Sequence, residues 1–320
     1  MSNEISAAMI VKNEEARLTT ALESLIGIVD ELVIVDTGSS DETIPIIRAF
    51  DAANHMPVTF AEVPWNGYFA AMRMEAQARC VGDWIFILDG DERVSEPGDI
   101  REKMLTTDRE ALGCRIEAVM ESGQRDCHDA IRAYRRNKCY WQYPIHNQLM
   151  GFRTAEPTRC VIESFYVGTL KEKLERSIPM LLDYYKKHPF DPHAPFFLAK
   201  SYRSIARWPD VRRYCEVCHK LVPGEAAYAI WWIWWHESVS MMDGIKAAAP
   251  IAEEMLSYHP QYGEAWHRRI AHDLLSWAEY VQHKGAYIFQ SDITGKFATR
   301  ANLSQVTELL GLPLQFREEG

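Results

Sequence analysis

The chain has 320 residues, of which 47% are hydrophobic and 25% charged, a balance typical of an ordinary globular protein with room for two domains. A formal net charge of −10 argues against a general nucleic-acid binder, which would normally be basic. No apolar run approaches the ~20 residues of a membrane helix, and the N-terminus lacks the basic start of a secretory signal. We therefore expect a cytoplasmic protein without a transmembrane segment, whose seven cysteines are reduced.

Strands and helices alternate along the first hundred residues. Continuous apolar runs predict strands, and apolar residues at helical spacing predict the helices between them. This βαβ alternation predicts an α/β fold with a mostly parallel sheet and helices on its faces. The predicted strands are Ile5–Val11, Glu31–Asp36, 57–65 and 83–89, and the predicted helices are 15–26, the segment after the turn "TGSSDET", and 69–80.

Three carboxylates stand at the end of the last of these strands: Asp89 is its final residue, and Asp91 and Glu92 follow it. Ligands of parallel sheets bind beyond the carboxyl ends of the strands, where Asp36 also lies. Carboxylate oxygens suit Mg²⁺ or Mn²⁺ bridging to a substrate diphosphate, and Gly90 leaves room for close approach. The alternative is a solvated turn in which an aspartate caps a helix. No glycine-rich dinucleotide or Walker motif is present, which argues against an NAD or ATP-loop site.

The second half of the chain changes character. Residues 110–165 hold two predicted strands and a segment, 140–152, that we expect to return to the sheet as a strand or loop. Beyond residue 168 the pattern is helical, and Pro189, Pro223 and Pro260 recur at intervals of 34 and 37 residues. That spacing is near the ~34-residue period of tetratricopeptide hairpins. We predict two domains, residues 1–168 (α/β) and 169–320 (helical repeats).

Two features of the helical half have open interpretations. Four tryptophans in "YAIWWIWWHES" could fill the core between hairpins, form a homodimer interface, or stack on sugars or bases. Six basic residues could form a local basic surface or could simply be solvated. They are Lys171, Lys173, Arg203, Arg207, Arg212 and Arg213.

Four motifs in order resemble the inverting family-2 glycosyltransferases with the GT-A fold. The resemblance covers about residues 1–150 and is close to bacterial and phage members with a helical-repeat tail. The motifs are "AAMIVKNEEARLTTALESL", "VDELVIVDTGSSDET", "FAAMRMEAQARCVGDWIFILDGDE" and "AYRRNKCYWQYPIHNQL".

The resemblance implies metal-dependent transfer, with Mn²⁺ or Mg²⁺, of a sugar from a UDP-sugar to an acceptor that is a saccharide, a protein or a modified DNA base. It also implies a role for each matching residue. The loop with Ile10, Lys12 and Glu14 would line the nucleobase pocket, and Asp36 would bind uracil or ribose. Arg73 would meet the diphosphate, and Asp89 would contact ribose or sugar beside Gly90. Asp91, with Asp89, would hold the catalytic metal, which His146 would approach, or the diphosphate, from the far side. Arg73 could instead be a helix surface residue, and His146 a packed histidine.

Two positions depart from the family pattern. Met74 stands where the family usually has Asn, and Asn147 where it usually has Glu. If that Glu serves as the base that takes the acceptor's proton, this chain needs another group, and the base stays unassigned. Asp126 and Asp129 are candidates by chain order alone. The departures leave open a catalytically degenerate scaffold that binds a sugar nucleotide and acts through its helical repeats. A nucleotidyltransferase is disfavoured, since it would need a glycine-rich triphosphate loop.

Overall fold

The computed structural model describes residues 4–119, 125–165 and 169–272. Packing divides the chain into two compact units, residues 1–234 and 235–320. Within the described residues, no helix is both long and apolar enough to cross a membrane. All seven cysteines are free thiols, and only Cys127 is exposed.

An eight-stranded mixed sheet forms the centre of the first unit. Its order is β3-β2-β1-β4-β7-β6-β10-β5. The first four strands in this order run parallel, and the direction reverses where β4 pairs with β7. The predicted α/β sheet is therefore confirmed, with four parallel neighbours in its N-terminal part and a further parallel pair, β6 with β10. The strands are β1 (Ile5–Val11), β2 (Glu31–Asp36), β3 (Val58–Glu62), β4 (Trp84–Ile87), β5 (Glu92–Glu96), β6 (Ala111–Val119), β7 (Arg125–Arg135) and β10 (Ala155–Ser164).

Helices α1 (Leu18–Ser24), α2 (Thr43–Ala52), α3 (Phe69–Gln77) and α4 (Ile100–Thr106) connect the strands of this sheet. Apolar residues of α1 and α2 cover one face of β1, β2 and β4, and a second core that includes Ala76 of α3 covers the other, so these strands can be apolar along their length. The spacing of Ser39 and Glu42 fits a capping box, but no such cap forms at α2. Ser39 instead donates a hydrogen bond to Asp36.

We had expected residues 140–152 to return to the main sheet, but they do not. They form a separate two-stranded antiparallel sheet, β8 (Tyr140–Gln142) and β9 (Gln148–Met150). This small sheet packs against α3, where the Gln77 amide donates a hydrogen bond of 2.8 Å to the Cys139 carbonyl. The loop between β8 and β9 carries His146.

Helices alone follow Thr169 in the described chain, as predicted. The prolines with repeat spacing each stand two residues after a helix end: Pro189 after α5, Pro223 after α7 and Pro260 after α9. The regular placement supports helical hairpins of the predicted length. The domain boundary at residue 168 stays a prediction. The helices are α5 (Leu170–Lys187), α6 (His193–Arg203), α7 (Trp208–Leu221), α8 (Ile230–Asp243) and α9 (Ala249–Tyr258), with short 3₁₀ turns at Ala226–Tyr228 and Ile245–Ala248 and further helical residues at 263–272.

The tryptophan-rich stretch lies in the core of these helices. Trp231, Trp232 and Trp234 are buried, and the Trp232 indole donates a hydrogen bond of 3.1 Å to the Pro223 carbonyl. These rings are therefore packing residues rather than an exposed stacking surface. A homodimer through the helical region stays a prediction.

Candidate active site

The loops after β1 and β2 are hydrogen-bonded to each other at the carboxyl edge of the sheet. The Asn13 side-chain oxygen accepts a bond of 2.8 Å from the Ser40 amide, and the Asn13 amide donates one of 2.9 Å to the Ser39 hydroxyl. One residue on, the Glu14 amide donates to the Thr43 hydroxyl at 2.7 Å. These bonds hold the predicted nucleobase loop, from Ile10 through exposed Lys12, in a defined shape.

Asp36 ends β2 and is 1% exposed. Its carboxylate accepts hydrogen bonds of 2.9 Å from the Gly38 and Ser39 amides and a third from the Ser39 hydroxyl. Gly38 has φ +109°, a backbone conformation that favours glycine. The carboxylate thus orders its own turn, and its contact with uracil or ribose stays a prediction.

Asp89 lies between two arginines. Arg73, on α3, donates to both of its carboxylate oxygens at 2.9 and 3.2 Å, and Arg132, on β7, stands 3.8 Å away. Burial opposes ionisation of Asp89, but the charges of Arg73 and Arg132 outweigh it and hold its pKa below the usual range. Asp89 is therefore an anion in the folded protein. The Nε atom of Arg73 is buried and has no hydrogen-bond partner among the described residues.

The carboxylates of Asp91 and Glu14 repel each other when both are ionised. Gly90 lies so close to Glu14 that an added Cβ would stand 2.6 Å from the Glu14 Cγ. Burial and then the charge of Asp89 raise the pKa of Asp91. Burial, then Asp91 and Asp89, raise the pKa of Glu14 to about 7. The carboxylates following β1 and β4 therefore repel one another when ionised.

Glu92 and Arg132 form a buried ion pair beneath this group. Their side chains are 4% and 13% exposed, and the Arg132 guanidinium donates to Glu92 at 2.6 Å. The other carboxylate oxygen of Glu92 accepts from the Asp89 amide at 3.0 Å. Burial raises the pKa of Glu92 to about 7, although Arg132 opposes the shift. This pair positions the Asp89-Gly90-Asp91 turn, and sequence reasoning missed Arg132, because its approach to Asp89 depends on the long-range pairing of β4 with β7.

The donor set fits a hard divalent cation. Carboxylate oxygens are the ligands that Mg²⁺ and Mn²⁺ prefer, and Asp91 has no ion-pair partner within 4 Å among the described residues. A cation would relieve the repulsion that raises the pKa of Asp91 and Glu14. Across the described part of the chain, no three His, Cys, Asp or Glu side chains are grouped so that they alone would hold a metal. Remaining ligands would have to come from substrate or water.

The described neighbours of His146 are residues other than these carboxylates. Its ring stacks on Phe197 of α6, with centroids 4.1 Å apart, and its φ is 51°. Burial, then Lys200 and other neighbouring cations, lower its pKa to about 4. Because the surroundings are cationic, they suit the diphosphate, or another anion, better than a metal ion. The predicted metal role of His146 stays a prediction.

The two base candidates lie on a strand. Asp126 and Asp129 belong to β7, in register with Ala118 and Arg115 of β6, and both are exposed. No described contact joins either of them to Asp89 or Asp91.

Comparison with known proteins gives a family. A family model described as glycosyl transferase family 2 matches residues 6–166, half of the chain. The chain belongs to glycosyltransferase family 2.

Curated relatives match parts of this glycosyltransferase. An uncharacterized glycosyltransferase of Rickettsia felis is 39% identical over 93 residues, 29% of this chain and 30% of that protein. The lipopolysaccharide core biosynthesis glycosyltransferase LpsC of Rhizobium meliloti is 35% identical over 113 residues, 35% of this chain and 41% of that protein. A TPR repeat-containing protein of Synechococcus elongatus is 37% identical over 160 residues, 48% of this chain and 38% of that protein. The chain thus spans less than half the length of each.

Met74 has a structural role in this family-2 glycosyltransferase, although the family usually has Asn there. Its sulfur accepts a bond of 3.3 Å from the Trp141 amide of β8. Trp141 in turn lies under Arg73, with the guanidinium carbon 4.9 Å from the ring centroid. Met74 therefore holds β8 in place, and Trp141 of β8 supports the Arg73 guanidinium.

Proposed function

We propose that this glycosyltransferase transfers a sugar from a UDP-sugar to its acceptor with inversion, and that it requires Mn²⁺ or Mg²⁺. The observation that carries the proposal is the grouping of Asp89, Asp91 and Glu14 around Gly90, beside the partly unsatisfied Arg73. Grouped carboxylates of this kind are costly unless a cation compensates them. A sugar nucleotide supplies the diphosphate that such a cation would bridge.

Each residue near the donor has a task of its own. Asp91, with Asp89, would hold the cation, which when bound would neutralise the charge of the departing diphosphate. Arg73 would offer an N–H that is not bonded to Asp89 to a phosphate oxygen, while Asp89 and Trp141 hold its guanidinium in place. The ordered loop after β1 and Asp36 would receive the nucleoside. The group that takes the acceptor's proton remains unassigned.

The acceptor is proposed at the level of chemical class. The R. meliloti relative is named for lipopolysaccharide core biosynthesis, which supports a saccharide acceptor. The Synechococcus relative is named for its repeats, and repeat surfaces commonly bind partners, so a protein acceptor stays open as well.

Calorimetric titration of UDP with and without Mn²⁺ tests the donor site. We expect metal-dependent binding to wild type, and a loss of at least about tenfold in affinity for Asp91→Asn, since an amide cannot replace the charge on the cation. Asp108→Asn is the matched control, because the Asp108 side chain is 91% exposed and, among the described residues, its ion pair is with its neighbour Arg109. UDP binding that ignores both the metal and Asp91 would overturn the proposal.

A degenerate scaffold is the second candidate. Met74 and Asn147 depart from the family pattern, and Met74 is committed to Trp141. This candidate predicts metal-dependent UDP binding without release of UDP from any UDP-sugar, with water or acceptor present. Measured UDP release that depends on Asp91 would exclude it.

A further inference from the structure

The β8–β9 loop caps the start of α3. The first amides of an α-helix have no partner within the helix, and among the described residues no side chain at the N-cap of α3 takes that role. The Phe69 amide instead donates to the Pro144 carbonyl at 2.9 Å, and the Ala70 amide donates to the Tyr143 carbonyl at 3.3 Å. The position of the loop therefore determines where α3 begins.

The same loop is bound to α6. His193, the first residue of α6, donates from Nε2 to the next carbonyl of the loop, that of Ile145, at 2.9 Å. Its ring also stacks on Tyr143, with centroids 3.6 Å apart. The His193 side chain is fully buried, and its amide donates to the Asp191 carboxylate at 2.9 Å. One buried residue of the helical region thus contacts the loop at two points.

The backbone of the loop needs this support. Tyr143 and His146 have φ values of 78° and 51°, in the left-handed region that residues other than glycine rarely adopt. Such conformations cost free energy and persist only where the surrounding contacts determine them. Tyr143 stacks on His193, and His146 stacks on Phe197 of the same helix, with centroids 4.1 Å apart. Both left-handed residues are therefore held by α6.

Helix α3 connects this loop to the donor site. Arg73 lies one helical turn beyond Phe69 and donates to both carboxylate oxygens of Asp89. Hydrogen bonds weaken steeply as their geometry departs from the ideal, so a shift in the start of α3 would weaken the contact between Arg73 and Asp89. A continuous set of contacts, the α6–α3 connection, thus leads from His193 through the loop carbonyls to the first amides of α3.

We propose that His193 is a positioning residue for the donor site: its Nε2–H holds the β8–β9 loop, and the loop sets the start of α3 and thereby the place of Arg73. The helical region is then a working part of the transferase site rather than a separate attachment. His193 acts through other residues, since none of its described contacts is with Asp89 or Asp91. The effect on donor binding rests on the proposed function, whereas the α6–α3 connection does not.

Two substitutions separate the hydrogen bond of His193 from its ring. His193→Phe keeps a ring against Tyr143 but has no donor for the Ile145 carbonyl, whereas His193→Gln replaces the Nε2–H with an amide N–H of similar reach. Tyr202→Leu is the matched control, because Tyr202 is a buried residue of α6 whose ring stacks on Tyr214 of α7, with centroids 5.8 Å apart.

Hydrogen exchange, followed by mass spectrometry on peptides that span residues 66–77, measures the α6–α3 connection without any substrate. We expect exchange there to be at least about fivefold faster in His193→Phe than in wild type, and close to wild type in His193→Gln and Tyr202→Leu. Calorimetry then measures the donor site. We expect His193→Phe to weaken metal-dependent UDP binding by about fivefold, and His193→Gln to restore it to within about twofold of wild type.

Phe197→Leu tests the same loop from the other left-handed residue, because it removes the ring on which His146 stacks. We expect it to change exchange and UDP affinity in the same direction as His193→Phe, by about twofold. It replaces His193→Phe if that variant does not fold, and wild-type values in Phe197→Leu would then overturn the proposal.

Unchanged exchange in His193→Phe would overturn the α6–α3 connection, and so would equal acceleration in Tyr202→Leu, which would mean a general loss of stability. Faster exchange with wild-type UDP affinity would overturn the positioning role, because α3 could then loosen without effect on the donor site. Equal losses in the Phe and Gln variants would show that the hydrogen bond is not what holds the loop. If wild type binds no UDP with any metal, the proposed function and the positioning role both fail, whereas the exchange result alone decides the connection.

Discussion

The imidazole of His193 lies flat on the ring of Tyr143, with centroids 3.6 Å apart and planes within 7°. Its Nε2 donates a hydrogen bond of 2.9 Å to the Ile145 carbonyl, one residue before His146. The first residue of α6 thereby fixes the loop that carries His146. The opposite nitrogen, Nδ1, is buried without a described partner, so a second proton there would be unsatisfied. Burial accordingly lowers the pKa of His193 to about 4.

This histidine makes stability depend on pH. Between its folded pKa of about 4 and the ordinary value of 6.5, the unfolded chain binds the proton and the folded chain does not. Stability is therefore full above the ordinary pKa and falls with decreasing pH, by about 2 kcal/mol at pH 5 from this group alone. Urea unfolding at a series of pH values should show that His193→Phe has a shallower slope than wild type.

His55→Phe is the control for that measurement, because His55 is exposed. Its slope should equal that of wild type. His146 and His236 also have pKa values lowered to about 4, burial being the largest cause in each, so the slope in His193→Phe should shrink rather than vanish. An unchanged slope in His193→Phe would show that His193 is not neutral in the folded protein.

The parts of the fold that sequence predicted best are the ones with local causes. β1 and β2 have the predicted bounds because their apolar runs are buried along nearly the whole strand, and such runs are readable without knowing their neighbours. The segment 140–152 was misjudged, since its pairing is between β8 and β9 and its packing is against α3, neither of which is visible in the local pattern.

The site residues also differ in how far the local sequence alone predicts them. The position of Asp89 and Asp91 after a buried strand was readable, whereas Arg73 and His146 needed the family resemblance. The charges of Lys200, Lys173 and Arg176 act together on His146 only because α5 packs on α6, and of these three only Lys173 was in the basic surface considered from sequence.

Gly90 is required by the position of Glu14. An added Cβ would stand 2.6 Å from the Glu14 Cγ, and Gly90 is not among the glycines with positive φ, so the contact rather than the backbone is the constraint. We expect Gly90→Ala to fold but to displace the Glu14 side chain, with a loss of about tenfold in metal-dependent UDP affinity. Calorimetry on wild type, Gly90→Ala, Glu14→Ala and the double variant completes a double-mutant cycle for UDP affinity.

In the Glu14→Ala background the 2.6 Å contact with Cγ is removed and only the 3.1 Å contact with the Cβ of residue 14 remains, so Gly90→Ala should there change UDP affinity by less than about threefold. An undiminished tenfold loss in the double variant would place the cause elsewhere, in the backbone of the Asp89–Asp91 turn.

The buried Arg132–Glu92 pair is expected to matter for stability as well as for the site. Arg132→Met leaves Glu92 buried without its partner, which should cost about 3 kcal/mol of unfolding free energy. Lys187→Met removes an exposed pair with Asp183 and should cost less than about 0.5 kcal/mol. Adding Glu92→Gln to Arg132→Met should recover part of the loss, because the amide needs no counter-charge. A double variant less stable than Arg132→Met would contradict this account.

Trp141 is expected to control the affinity for UDP through Arg73. The Arg73 guanidinium lies over its ring at 4.9 Å, and the indole N–H donates a bond of 3.0 Å to the Tyr134 hydroxyl. That hydroxyl donates onward to Gln77 at 2.8 Å, so it keeps a partner if the indole is lost. We expect Trp141→Leu, which removes the ring face, to weaken metal-dependent UDP binding by about fivefold.

The variant Trp141→Phe keeps an aromatic ring at this position but removes the indole N–H. A phenyl face still supports the guanidinium, so UDP affinity in this variant should stay within about twofold of wild type. Equal losses in the Phe and Leu variants would show that the indole hydrogen bond, rather than the ring face, holds the site. Wild-type affinity in both would mean that Asp89 alone positions Arg73, through the two hydrogen bonds at 2.9 and 3.2 Å.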